Sequence, residues 1–279
     1  MKEKTTSKVL RHTLVILGLV VMLYPLAWLV SSSFKTNEEI FAATNLLPKE
    51  FSFAGYINGW TGTGKYTYTD FFKNSFTMVL PMVAFSVISS AVVAFGFARF
   101  EFPLKKVLFA IMIGTMMLPS SVMLIPRYVM FKSLGWTNSY LPMIVPTIFA
   151  GTPFFVFMLV QFFRGLPREL DESAYIDGCN SFFLLVRIFV PLSKPALFSV
   201  AMFQFMWAWN DFFNPLIYVN SVSKYTLSQG LRLSLDMESN IQWNSVLAMS
   251  LVTILPLALL FFFAQKYFVE GVATTGLKG

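Results

Sequence analysis

The sequence predicts an all-α, polytopic membrane protein with six transmembrane helices, and three observations carry that reading. Of 279 residues, 56% are hydrophobic and only 13% are charged, against roughly 25% charged in a soluble domain. Six segments are apolar over the length needed to cross a hydrocarbon core, about 20 residues. The basic residues are distributed unevenly between those segments, as in proteins whose cytoplasmic Lys and Arg fix their orientation.

The spans are expected at 13–33, 75–98, 107–125, 141–163, 195–219 and 246–267, within a single domain covering 1–279. Lys2, Lys4, Lys8 and Arg11 precede the first apolar run, Leu14 to Val30. That run exceeds a signal-peptide core, and no small-residue cleavage pattern follows it, so it reads as a retained span. The third span contains Pro119 and ends before Pro126. Proline is tolerated in a span where neighbours satisfy the freed carbonyls, so Pro119-Ser120-Ser121 fits either a broken helix packed inside the protein or an ordinary kink. The fourth, fifth and sixth spans follow, with long outer segments at 34–74 and 220–245. Trp60, Trp136 and Trp243 fall near the outer boundary, where amphipathic rings belong.

With the N-terminus inside, 13 of the 21 Lys and Arg residues fall in cytoplasmic pieces, among them Arg99, Lys105, Lys106, Arg164, Arg168, Arg187 and Lys194. Six spans bring the C-terminus back to the same side, so both termini are expected to be cytoplasmic. The net charge of +7 is accounted for by these loops, and no nucleic-acid motif accompanies it. Cys179 is the only cysteine and His12 the only histidine, which removes internal disulfides and most metal or nucleophile constellations. Gly59 to Tyr66 has the glycine-lysine spacing of a phosphate-binding loop. It lacks a preceding hydrophobic strand, and Tyr66 stands where Ser or Thr would hold magnesium. It reads as a flexible outer loop.

The cytoplasmic segment 164–194 holds four of the chain's 14 acidic residues between Glu169 and Asp177. Pro167 suits a first helical turn. Gly178 suits a left-handed stop, and Asn180 or Ser181 can cap a following helix. The expectation is a short amphipathic helix, a sharp turn and a second helix carrying Phe182, Phe183, Leu185, Val186 and Phe189. The second helix is expected to be buried against the spans and to end before Pro191. Such a pair suits a docking lever for a cytosolic protein; a plain helical turn between two spans fits as well.

This stretch resembles the signature loop of ABC importer permeases, E-A-A-x-x-D-G, nine residues, I-x-L-P. Glu172, Ala174, Asp177, Gly178, Ile188 and Pro191 fall at its spacing; Ser173 replaces the first alanine and Val190 the leucine. Two further stretches resemble the smaller six-span permease of maltose-type carbohydrate importers: Trp207 to Leu216, including Trp209, Asn210 and Asp211, and the terminus Phe268 to Gly279. The resemblance implies a non-catalytic permease of a sugar importer in a bacterial cytoplasmic membrane. It implies a second homologous permease, two cytosolic ATPase subunits docking on loops that here would use Glu169, Glu172, Ser173, Ala174, Asp177 and Gly178, and an extracytoplasmic binding protein. ATP and Mg would be bound by the ATPases, and no cofactor by this chain. The tail residues Gly276, Lys278 and Gly279 would reach the ATPases or fray. Asn210 and Asp211 would line the path, meet the binding protein or simply be wet.

The same signature loop serves importers of non-sugar solutes. An ion-coupled secondary transporter would need acids or histidines inside the spans, and Asp211 is the one marginal case. No H-E-x-x-H or G-x-S-x-G points to an intramembrane enzyme.

Overall fold

A computed structural model describes residues 5–42, 45–62, 65–236 and 241–276. Every regular element among the described residues is helical: α1 (Thr5–Ser32), α2 (Asn37–Ala42), α3 (Ala54–Thr61), α4 (Tyr68–Arg99), α5 (Lys105–Thr115), α6 (Ser120–Ser133), α7 (Leu141–Ile148), α8 (Pro153–Arg164), α9 (Glu169–Ile176), α10 (Ser181–Leu184), α11 (Val190–Leu192), α12 (Lys194–Asn210), α13 (Phe213–Tyr218), α14 (Leu227–Asp236) and α15 (Trp243–Gly276). A π turn at Leu185–Phe189 joins α10 to α11, and a 3₁₀ turn occupies Val222–Lys224.

Four stretches are long and apolar enough to cross a membrane: Lys8–Ser32, Tyr68–Arg99, Leu141–Arg164 and Trp243–Phe263. Two bent pairs, α5 with α6 at 100° and Ser181–Leu192 with α12 at 81°, bring the number to six if each is one span.

Helix ends depart from the hydropathy limits for identifiable reasons. α4 begins at Tyr68 instead of Ser75, because Asp70 accepts hydrogen bonds from the backbone N–H of Thr67 at 2.9 Å and from its hydroxyl at 3.1 Å, the acidic half of a capping box, which starts the helix among polar residues. The fourth span is interrupted at Phe149–Thr152. Ala150 takes a positive φ of 53°, and the Gly151 N–H donates to the Pro146 carbonyl at 3.0 Å. A Cβ on Gly151 would stand 2.5 Å from that oxygen, so the close approach requires glycine. The fifth span ends at Asn210, where Asp211 turns extended (ψ 112°). The third span is broken at Pro119, whose ψ of 130° ends one helix and opens the next. Of the two alternatives for this segment the helix is broken, and within this chain Met117 is 82% exposed and Val122 and Ile125 are also exposed.

The chain divides into two compact units, one of residues 1–70 and 230–256, the other of 71–229 and 257–279. In the first, the segment after α1 is ordered by α2 and α3. Asn37 donates from Nδ2 to the Ile241 carbonyl (3.1 Å) and accepts from the Asn244 N–H (3.1 Å). Gly55 lies so close to Asn244 that a Cβ would fall 2.7 Å from its carbonyl oxygen. The glycine-lysine decoy begins inside α3, so a helix stands where a phosphate-binding loop needs a strand.

The second unit is built around one apolar core. α4 supplies Ala91, Ala94, Phe95 and Ala98; α8 supplies Phe155, Leu159 and Phe163; α12 supplies Ala196, Leu197 and Val200. The alanines let helix backbones approach closely, which dispersion rewards where lipid is as apolar as the side chains. Ala174, Leu184, Leu185 and Phe189 of the 164–194 segment belong to the same core.

Candidate functional site

The 164–194 segment forms two short helices around a left-handed turn. Three acids in the first turn of α9, Glu169, Asp171 and Glu172, complement the positive end of the helix dipole. α9 starts at Glu169, so Pro167 precedes the helix. Its C-terminus closes as a Schellman motif: the Cys179 N–H donates to the Ala174 carbonyl (2.9 Å) and the Gly178 N–H to the Tyr175 carbonyl (3.1 Å), with Gly178 at φ 80°. Asn180 then caps α10, its Oδ1 accepting from the Phe183 N–H at 2.9 Å. Ser181 instead shares a 3.2 Å hydrogen bond with the Tyr175 hydroxyl.

Ala174 is 2% exposed and seats α9 in the core, leaving no room there for a larger side chain. On the other side of α9, Glu169, Glu172, Ser173, Asp177 and Gly178 are exposed. The second helix departs from expectation twice. Leu184, Leu185 and Phe189 are buried, whereas Phe182, Phe183 and Val186 are exposed, so one apolar face lies open. The helix also continues past Pro191. Proline has no N–H to return to the Arg187 carbonyl, and the backbone widens just ahead of it, the Val190 N–H donating to the Leu185 carbonyl. Ile188 packs against the core, while Pro191 is exposed. Together Tyr175, Ile176 (86% exposed), Phe182 and Phe183 form an apolar tip flanked by acids.

An ion pair that the sequence did not reveal ties this hairpin to the end of α4. Arg99 Nε lies 3.1 Å from Asp171 Oδ2, with side-chain exposures of 4% and 15%. A terminal guanidinium nitrogen of Arg99 donates to the Leu166 carbonyl at 2.9 Å, and the guanidinium stands over the Phe189 ring at 4.7 Å. Phe189 packs edge-on against Phe95 (4.9 Å) and Phe163 (5.4 Å). Arg99 therefore touches both halves of the hairpin. Burial pushes the Asp171 carboxyl above its ordinary range, against the opposing pull of Arg99 and Arg168. Desolvation offsets much of the attraction in such a pair, and its contacts to Leu166 and Phe189 fix the geometry of the hairpin against α4.

The span-five residues sit apart from this site. Trp207 stacks on Phe155 at 5.1 Å and is partly exposed, whereas Trp209 is buried against Phe205 and Phe76. Asn210 donates back to the Met206 carbonyl at 2.9 Å. Asp211 accepts from the backbone N–H and side-chain amide of Asn214, at 3.1 and 2.6 Å, and so caps α13. Of the tail residues, Gly276 closes α15 in helical conformation, beyond the limit of 267 expected for the sixth span; Lys278 and Gly279 lie outside the described residues.

Residues 88–274 match the family described as "Binding-protein-dependent transport system inner membrane component". A probable ABC transporter permease protein, YurM of Bacillus subtilis, is 33% identical over 264 residues, 94% of this chain and 86% of that one. The arabinooligosaccharides transport system permease protein AraQ of the same organism is 32% identical over 260 residues, 92% and 91% of the two chains. In fold the chain resembles a chain from the crystal structure of a bacterial ABC transporter involved in the import of the acidic polysaccharide alginate, with a TM-score of 0.85, 20% identity, and 96% and 98% of the two chains covered.

Proposed function

Since the chain belongs to the family of binding-protein-dependent transport system inner membrane components, we propose that it is the permease subunit of an ATP-driven sugar importer, moved by ATPases that dock on the α9–α10 hairpin. The observation that carries this reading is the hairpin itself: an apolar tip ringed by Glu169, Glu172 and Asp177, held to the core by Ala174 and to α4 by Arg99. An exposed apolar patch with a polar rim is the form of a protein interface. Because Arg99 ends α4 and the π turn runs through α11 toward α12, a push on the tip reaches two spans.

In this reading the hairpin faces the cytoplasm, both termini lie on that side, and the chain resides in the bacterial cytoplasmic membrane. A second related permease completes the pathway. Two cytosolic ATPase subunits bind ATP and Mg, and an extracytoplasmic protein delivers the solute. This chain is non-catalytic: it converts ATPase closure into alternating access. A relative named for arabinooligosaccharide transport supports an oligosaccharide as the solute.

Glu172→Lys tests the docking surface. Glu172 is exposed, so the substitution is expected to leave membrane abundance unchanged and to lower the co-purified ATPase about tenfold, the 1.4 kcal/mol scale of one lost charged rim contact. A co-purification yield equal to the unmodified chain would overturn the docking assignment. Uptake of oligosaccharides in a strain lacking only this gene, with complementation, tests the substrate class; unchanged uptake of every sugar would overturn it.

A further inference from the structure

On the side of the hairpin's base, the C-terminal end of α4, the N-terminal end of α5 and the C-terminal end of α8 enclose a cavity of about 740 Å³. Its polar lining is Lys105, Lys106, Arg164, Arg168 and one acid, Glu101. Lys105 is committed: its Nζ donates to Glu101 (2.9 Å) and to the Phe100 carbonyl (2.7 Å). Among the described residues, Lys106, Arg164 and Arg168 form no contact ion pair, although Lys106 and Arg168 act on Glu101 and Arg168 on Asp171 from further away. Arg164 lies over the Phe109 ring at 5.1 Å, which holds its guanidinium at the cavity. The first turn of α5 contains no acid and no side-chain cap, and the positive end of its dipole lies at the same place. Four cations against the single carboxylate of Glu101, on which Lys105, Lys106 and Arg168 all act, leave the cavity an excess of positive charge that suits an anion.

The remaining lining is apolar. Leu104, Val107 and Phe109 border the cavity, and Leu104, Val107, Leu108 and Ile111 continue along α5 as an exposed strip. The cavity also lies where three apolar helices end, and the ends of spans are where lipid headgroups are met. A ligand that suits both halves carries a phosphate joined to a long apolar chain. The geometry points to a binding site for an anionic phospholipid, with its phosphate among Lys106, Arg164 and Arg168 and an acyl chain along α5. Arg168 immediately precedes α9, so the headgroup would sit against the base of the hairpin. This assignment is independent of which solute is carried.

The full transporter complex, exchanged into micelles with equal phosphatidylglycerol and phosphatidylcholine, is examined by native mass spectrometry for retained lipid. Phosphatidylglycerol is expected to be retained in preference to phosphatidylcholine. Lys106→Gln with Arg164→Gln should weaken that retention about 25-fold, taking roughly fivefold per cation at a membrane surface. Lys73→Gln with Lys132→Gln, which removes the same charge elsewhere, should leave it unchanged. Equal retention of the two lipids, or an equal effect of both double variants, would overturn the proposal. If the first double variant does not assemble, Lys106→Gln alone, at an exposed position, should give the fivefold effect; no effect there would overturn it. Inorganic phosphate titrated against thermal unfolding separates the other source. Phosphate stabilising the unmodified complex but not the double variant, with no lipid preference, would assign the cavity to free phosphate and overturn the lipid reading.

Discussion

The molecule makes two sharp bends by opposite means. At Gly178 the chain reverses between α9 and α10 with its backbone groups satisfied by a Schellman closure and a side-chain cap, and both flanking helices are seated in the core. At Pro119 the third span bends by 100° with no side-chain cap and with exposed residues on both sides. The first bend is specified by contacts inside this chain. The second is specified only by what proline does to its own backbone. A bend of the first kind can transmit force, because displacing it disturbs a packed core.

Removing the internal brace is the strongest way to break this contrast. Asp171→Ala leaves Arg99 buried without its counter-charge, and the unpaired buried ion is expected to cost about 3–5 kcal/mol, read as a large fall in the thermal unfolding midpoint and loss of co-purified ATPase. Replacing both partners together, Arg99→Met with Asp171→Leu, should recover most of that stability; a double variant as unstable as the single one would show that the pair is not the cause. A smaller loss, about 2 kcal/mol, is expected for Gly178→Val. A Cβ at this glycine meets nothing within 4 Å, so the cost comes from the positive φ, which a β-branched residue resists, and not from a clash. Gly178→Asn, which tolerates that conformation, should restore docking measured by ATPase co-purification; failure of Asn to rescue would mean the turn needs more than its backbone angle. Least of all, Pro119→Ala should change thermal stability by under about 1 kcal/mol, since no core is seated there. A loss comparable to that of Asp171→Ala would erase the distinction between the two bends.

The sequence is most legible where the physics is local. The six apolar segments follow from hydropathy, and Gly178 and Asn180 follow from turn and cap chemistry within three residues of each other. Pro119 marks a break in its own letters, but not whether anything covers it. The start of α4 at Tyr68 escapes hydropathy because Asp70 caps a helix among residues too polar to read as a span. The interruption at Phe149–Thr152 was missed as well, though Gly151 and Pro153 give a faint signal. The Arg99–Asp171 pair is the hardest case. Its partners are distant along the chain, and each has an ordinary reading alone, a loop cation and a helix-start acid. Only the packing of α9 against the end of α4 joins them. The burial of Leu184 and Phe189 beside the exposure of Phe182 and Phe183 is equally a product of tertiary contact, since seven apolar residues among the nine of 181–189 do not declare which face is covered.

The π turn between α10 and α11 makes this region sensitive to length rather than to composition. Nine residues separate Gly178 from Ile188, and the turn holds one residue more than a regular helix would. In a helix each residue advances about 100° around the axis. Adding one more residue between Asn180 and Leu185 would therefore swing Phe189 through roughly that angle, out from under Arg99 and away from Phe95 and Phe163, whereas losing one could be absorbed by closing the π turn to a regular helix. Exchanges at Phe182 or Val186 leave the count intact and touch no core. The hairpin is thus metered like a screw thread with one spare step: its letters can vary at several places, but an added step puts every later contact out of phase.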